Sequence, residues 1–338
     1  MKKLITVILG IALVATTNMP AQAGTTLTGQ GSSYVDSLMQ TCKASATAVS
    51  VTYVATGSGA GKTQFANGSL DFAATDSAYS DTDIRPTFAY GYIPIAGGPV
   101  AIVFNVKGVK NLKLTNKIVS DIYTGKIKTW NDKAIVAVNA GVKLPATKIT
   151  PVFRSDGSGT SANFTSYLAA TVKNVGWKPS STSFIGSNSK SKISGIGAPK
   201  SAGVGTTVKG LDGSIAYLDL SDANALRLSY AALKNEFGVF IKPTVMNASA
   251  FINVQKVEPS GLVKFDYTKK LKGGYNLSLV SYALVPLDKR TNSASLKTFF
   301  TTLVNQCAPA NASKLGYAVI ASTMKIYARK TIDLIGTK

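Results

Sequence analysis

Apolar positions along this chain fall into short blocks. Their spacing switches between the two-residue beat of a strand and the 3.6-residue beat of a helix. Val49–Ala55 and Leu70–Ala74 are brief β-type runs, each next to a Gly- or Ser-rich turn, and Val100–Val106 and Leu277–Val285 are further ones. Helical spacing links Tyr34, Leu38, Met39 and Cys42, and again Phe164, Tyr167, Leu168 and Val172. A short helical segment is expected between Gly61 and Gly68, and Ser120–Trp130, with Ile122, Tyr123 and Ile127, predicts another helix. Leu296–Leu334 reads as helix with a break near Pro309. Lys178–Lys209 is rich in Ser, Gly and Lys and lacks an apolar period, so loop is expected there. No solenoid-type repeat is visible. The alternation predicts a mixed α/β protein.

The first 23 residues follow a different pattern. Lys2 and Lys3 precede an apolar stretch, Leu4–Ala15, and Ala21-Gln22-Ala23 supplies small residues for cleavage. This is the pattern of a secretory signal, and Leu4–Ala15 is short for a membrane span. The expectation is a soluble periplasmic or secreted protein cut near Ala23. The full chain of 338 residues has room for two domains, and 45% apolar residues supply a core. Cys42 and Cys307 are the two cysteines. In an exported chain, one bridge between its ends and two separate buried thiols are both compatible with their spacing.

Histidine is absent, which removes Ser-His-Asp and Cys-His catalysis, HExxH zinc sites and histidine pH switches. No carboxylate cluster has metal-ligand spacing, so no metal or cofactor is expected. The net charge is +21, or +19 once Lys2 and Lys3 are removed. Nucleic acid is the reflex partner for such a charge, but the lysines are scattered and no nucleic-acid motif accompanies them. Attraction of small anions, or association with an anionic envelope surface, suits an exported chain better.

Three turns carry the candidate chemistry. Arg154-Ser155-Asp156-Gly157-Ser158-Gly159-Thr160-Ser161 sets an arginine and a Gly/Ser/Thr turn before a helical pattern. A helix N-terminus offers unpaired N–H groups, and with an arginine beside it the site suits an oxyanion, phosphate above all. Gly29-Gln30-Gly31-Ser32-Ser33 and Thr56-Gly57-Ser58-Gly59-Ala60-Gly61 are similar turns leading into helical segments. Their glycines allow close backbone approach and their hydroxyls can donate. Gly61-Lys62-Thr63 imitates the end of an ATP-binding loop, but Thr56 stands where that motif needs glycine, so Lys62 is expected to be a solvated helix residue. Asp76 is the odd member, since a carboxylate repels an anion. It fits an anion that still carries a proton, as monohydrogen phosphate does and sulfate does not. The plainer alternative is a turn cap.

With those blocks in place, the chain resembles the periplasmic phosphate-binding proteins that feed phosphate ABC transporters. The resemblance spans most of the mature chain. It rests on Gly29–Tyr34, Gly57–Gly61, Asp71–Asp76, Asp121–Ile127, Arg154–Ser161, Asn163–Leu168 and Gly213–Leu218, in that order. It implies a two-domain α/β clamp with a ligand cleft and two interdomain crossovers, one domain at 24–96 plus 282–338 and the other at 97–281. It also implies phosphate contacts from Ser33, Tyr34, Ser58, Asp76, Arg154, Ser158, Gly159 and Thr160, with Asp156 orienting the arginine. The implied partners are inorganic phosphate and a membrane permease, with no nucleic acid, and the implied state is a monomer without catalytic residues. Ser33 and Tyr34 stand where relatives commonly have threonine and phenylalanine, and Lys178–Lys209 is hard to align. Two alternatives remain open: a secreted phosphatase-like enzyme of the same fold, for which Ser158 lacks an evident base, and a basic envelope-associated protein.

Overall fold

The structure is a computed structural model that describes residues 26–179 and 182–338. The expected leader lies outside the described residues. A nine-stranded sheet organises the molecule. Its main path runs Val51–Ala55, Leu27–Gly31, Phe72–Thr75, Ser278–Pro286, Tyr90–Asn105, Ser214–Asp219, Thr150–Arg154 and Ile196–Ala198. Ser229–Tyr230 pairs with the far half of Tyr90–Asn105.

Tyr90–Asn105 is the strand both halves share. Residues 90–99 pair antiparallel with Ser278–Pro286, and residues 100–105 pair antiparallel with Ser214–Asp219. Thirteen consecutive positions of it are buried. That is why Val100–Val106 reads as a continuous apolar run: both faces are covered. The expected domain boundaries at 96/97 and 281/282 fall inside this strand and the returning strand Ser278–Pro286.

On each side of the shared strand, parallel strands point their carboxyl ends toward the middle of the molecule. Leu27–Gly31 lies parallel to Val51–Ala55 and Phe72–Thr75 in one half. Thr150–Arg154 lies parallel to Ser214–Asp219 and Ile196–Ala198 in the other. Ligands of open α/β sheets sit outside such ends, and here two sets of ends face each other.

Of the two alternatives open for the cysteines, the bridge is the one that forms, between Cys42 and Cys307 with Cα atoms 5.6 Å apart. Four expectations are corrected. The helix placed at Ser120–Trp130 is Asn116–Tyr123. Thr115 Oγ1 caps its start by accepting from Ile118 N, and Gly125, at φ +71°, ends it. Lys178–Lys209 is not all loop, because Ile196–Ala198 is a strand and Lys200–Gly210 a helix. The break in the last helical region is at Gly316 (φ +90°) rather than Pro309. Pro309 does not break the run: Ala308–Asn311, which holds it, continues directly from the π-helical turn Leu303–Cys307. Lys62 is 2% exposed, not solvated. Its Nζ donates to Asp83 Oδ2 at 2.6 Å and to the Ala78 carbonyl at 3.2 Å.

Candidate functional site

Asp76 directly follows Phe72–Thr75 and is 4% exposed. Ser32 and Ser281 each donate to its Oδ1 at 2.6 Å. Ser58 Oγ lies 3.3 Å from Oδ2 and also accepts from the Asp76 amide at 3.3 Å. Ser281 reaches Asp76 because Ser278–Pro286 runs antiparallel to Phe72–Thr75 with Tyr282 opposite Thr75, a register that sets Ser281 opposite Asp76 at the next position. Burial raises the Asp76 carboxyl above its ordinary value. The bonds from Ser281 and Ser32, the Arg154 charge and the bond from Ser58 oppose that rise without cancelling it.

Arg154 ends its strand on the opposite side and is 3% exposed. Its Nε donates to Asp156 Oδ1 at 2.7 Å, and its Nη2 donates to Asp156 Oδ2. This fork-on-fork pair fixes the plane of the guanidinium. The Lys200 amide donates to the same Asp156 Oδ1 at 2.8 Å. Burial pushes the Asp156 carboxyl up, but the hydrogen bond and charge of Arg154 and the Lys200 amide bring it below the usual range. Asp156 therefore stays ionised and Arg154 stays oriented. The Arg154 amide donates to Tyr217 Oη at 3.0 Å, and Tyr217 Oη lies 2.7 Å from Ser161 Oγ.

After Arg154 the chain turns into the helix Gly159–Thr171. Ser158 is its N-cap, and its Oγ accepts from the Ser161 amide at 3.1 Å. Thr160 is 2% exposed, and its Oγ1 is buried with no hydrogen-bond partner among the described residues. A buried hydroxyl without a partner is costly, so it marks a place where a ligand oxygen fits.

The two sides meet through glycine. A methyl group on Gly159 would lie 2.7 Å from Ser58 Oγ and 2.8 Å from Asp76 Cβ. Gly57, at φ +93°, would carry a Cβ against Asp156 Oδ2 and 3.5 Å from Arg154 Nη2. The Gly59 amide donates to the Gly157 carbonyl at 2.8 Å across the seam. Asn163 adds a second tie: its Nδ2 donates to the Asp76 carbonyl at 2.7 Å, and Tyr267 Oη donates to its Oδ1 at 2.8 Å.

The structure thus brings Ser58, Asp76, Arg154, Ser158, Gly159 and Thr160 to one seam. Ser33 and Tyr34 stand differently. The Ser201 amide donates to Ser33 Oγ at 3.1 Å, and the Tyr34 amide donates to Ser32 Oγ at 3.1 Å. The sequence reading missed Ser32, Ser281, Asn163, Tyr217 and Ser201 as members. Ser32, Asn163 and Tyr217 lie inside blocks already singled out. Ser281 sits in an apolar strand, where only the pairing with Phe72–Thr75 reveals its role.

A sequence profile of the PBP superfamily domain matches residues 16–305. The phosphate-binding protein PstS of Xylella fastidiosa strain Temecula1 is 33% identical over 251 residues, covering 71% of this chain and 67% of that protein. PstS2 of Mycobacterium bovis is 37% identical over 193 residues, covering 55% of this chain and 50% of that protein. The chain therefore spans about two thirds of one relative and half of the other. Among solved structures, a high-affinity periplasmic phosphate-binding protein, PfluDING, bound with phosphate, is similar with a TM-score of 0.76 at 23% identity. That match covers 90% of this chain and 93% of the other. A phosphate-binding protein from Stenotrophomonas maltophilia matches with a TM-score of 0.71 at 20% identity, over 91% of this chain and 94% of its own. These two likenesses establish the fold, a two-domain α/β clamp.

Proposed function

This chain belongs to the phosphate-binding proteins of the PBP superfamily, and on that premise we propose that it captures inorganic phosphate at the Asp76–Arg154 seam and delivers it to an ABC permease after export. Arg154, held by Asp156, supplies the attraction common to any oxyanion. The Gly159 and Thr160 amides at the helix start add N–H donors and a partial positive charge. Thr160, Ser158 and Ser58 offer hydroxyls along the same seam, and Ser33 and the Tyr34 amide follow Ser32, which donates to Asp76. Asp76 reads the ligand's proton: ionised, it accepts from monohydrogen phosphate and faces sulfate with nothing to accept.

The observation that carries this reading is a buried carboxylate and a buried arginine on opposite sides of one glycine-lined seam, with the unpartnered Thr160 hydroxyl beside them. The two lobes are proposed to hinge where the shared strand and the returning strand pass between them. Binding then closes the clamp, and the closed shape is what a permease recognises. The serine that hydrolysis would need, Ser158, has its oxygen accepting from the Ser161 amide as the helix N-cap, which suits binding rather than catalysis. Titration calorimetry with phosphate and sulfate near neutral pH is the test. Tight phosphate binding with no sulfate heat is expected, and equal binding of the two anions would end the reading.

A further inference from the structure

Positive charge is unevenly divided in this molecule. Residues 97–281 hold 24 Lys and Arg against nine Asp and Glu, whereas the rest of the chain after Ala23 holds 11 against seven. Part of that excess gathers around a three-stranded sheet separate from the main one, ordered Phe240–Ile241, Ala232–Lys234, Lys113–Leu114. Lys113 and Lys234 both place Nζ over the Phe240 ring, 5.5 and 6.0 Å from its centre. Lys242 follows the same sheet. Asn235 Nδ2 donates to the carbonyls of Leu271, Lys272 and Gly274 at 2.8, 3.3 and 3.1 Å. That side chain pins the loop carrying Lys269, Lys270 and Lys272 beside Lys234. All six lysines are exposed.

The same edge is apolar where a merely solvated surface would not be. Phe237 is 53% exposed, Val239 37% and Met246 75%. A cavity of about 260 Å³, lined by Lys113, Lys242, Asn111 and Tyr230 among others, opens next to it. Lysines on the same three-stranded sheet and its flanking segments as exposed Phe and Met side chains match a surface with a negative plane over an apolar interior. A soluble polyanion would use the charges and leave Phe237 and Met246 without a role.

We propose that this edge docks on an anionic phospholipid bilayer, with the lysines on headgroup phosphates and Phe237 and Met246 between the headgroups. The docking is peripheral and salt-sensitive. It holds the protein at a membrane surface, and it does not depend on the cleft.

Co-sedimentation with phosphatidylcholine vesicles, with and without phosphatidylglycerol, tests this. Binding is expected only with phosphatidylglycerol and should fall as salt rises. The triple variant Lys234→Glu, Lys242→Glu, Lys272→Glu should lower partitioning about a hundredfold or more. Phe237→Ser with Met246→Ser should lower it about tenfold. Lys289→Glu, Lys314→Glu, Lys330→Glu makes the same charge change away from the edge and should cost only a few-fold (~2–5). Phosphate calorimetry on each variant reports folding separately, so loss of docking with an intact cleft is distinguishable from failure of the cleft. No binding to phosphatidylglycerol vesicles overturns the proposal. So does an equal loss in the control triple, which would mean net charge alone, or wild-type binding by the Phe237/Met246 variant.

Discussion

Asp76 is a carboxyl placed where an anion should be repelled, and its surroundings say which form it takes. Two hydroxyls saturate Oδ1, so Oδ2 beside Ser58 is the atom left to meet a ligand. Because burial raises its pKa, Asp76 gains a proton earlier than an ordinary aspartate as the solution is acidified. Once protonated it donates instead of accepting, and sulfate then has a partner. Calorimetry at about pH 8 and about pH 5 should therefore show phosphate-over-sulfate selectivity shrinking as pH falls. Asp76→Asn should show that relaxed selectivity at both values. On the other side, Arg154→Ala removes the attraction and leaves Asp156 half-buried and unpaired, so phosphate binding should weaken by about 2–5 kcal/mol, again read by calorimetry. Much of this was legible from sequence, because Arg154, Asp156, Ser158 and Thr160 are neighbours in the chain. Ser281 was not, since its part depends on a strand pairing between segments far apart in the chain. Lys62 was misread because its counter-ion, Asp83, sits beyond the strand that follows.

Helices and turns were legible to the degree that apolar side chains drive their packing. The helix Lys200–Gly210 escaped because it presents Val204, Val208 and Ser201 to the core, and its close contact is made by Gly205 against Leu226. Glycine at a helix contact carries no hydrophobic period to detect. The helix Gly159–Thr171 was found because Phe164, Tyr167 and Leu168 point one way. At its start, Gly159→Ala tests the seam directly. Alanine suits the helix better than glycine, but its methyl would strike Ser58 and Asp76 in the shut clamp. Phosphate affinity should fall by about 1–3 kcal/mol while the melting temperature barely moves. Farther off, the Cys42–Cys307 bridge ties the first helix to the helical turn Leu303–Cys307 across 265 residues. Replacing both cysteines by serine should cost about 2–5 kcal/mol of stability in denaturant titrations and leave phosphate selectivity unchanged.

At the scale of the molecule, the shut clamp sets like charges together at one side of the seam. Ser221 Oγ donates to Ser37 Oγ at 3.1 Å, which brings Asp222 toward Asp36. Burial first, then the Asp36 charge, push the Asp222 carboxyl up to about 6, against the pull of Arg154. Asp219, beside it, is pushed up as well, by burial and by Asp222. A raised carboxyl favours the folded state most when protonated, so this part of the stability is present below about pH 4 and is lost as pH rises through about 6. Melting curves across that window should show the decline, and Asp222→Asn should flatten it.

The returning strand Ser278–Pro286 lies between Phe72–Thr75 and Tyr90–Asn105, and this has a consequence for biosynthesis. The sheet around Asp76 lacks its centre until residue 286 exists, although its first strands are complete by residue 75. At about 5–20 residues per second, they wait roughly 10–40 s for that partner and longer for Cys307. Throughout that interval the N-terminal lobe stays unfinished, and a chain that cannot finish folding is one that can still be threaded through a membrane pore.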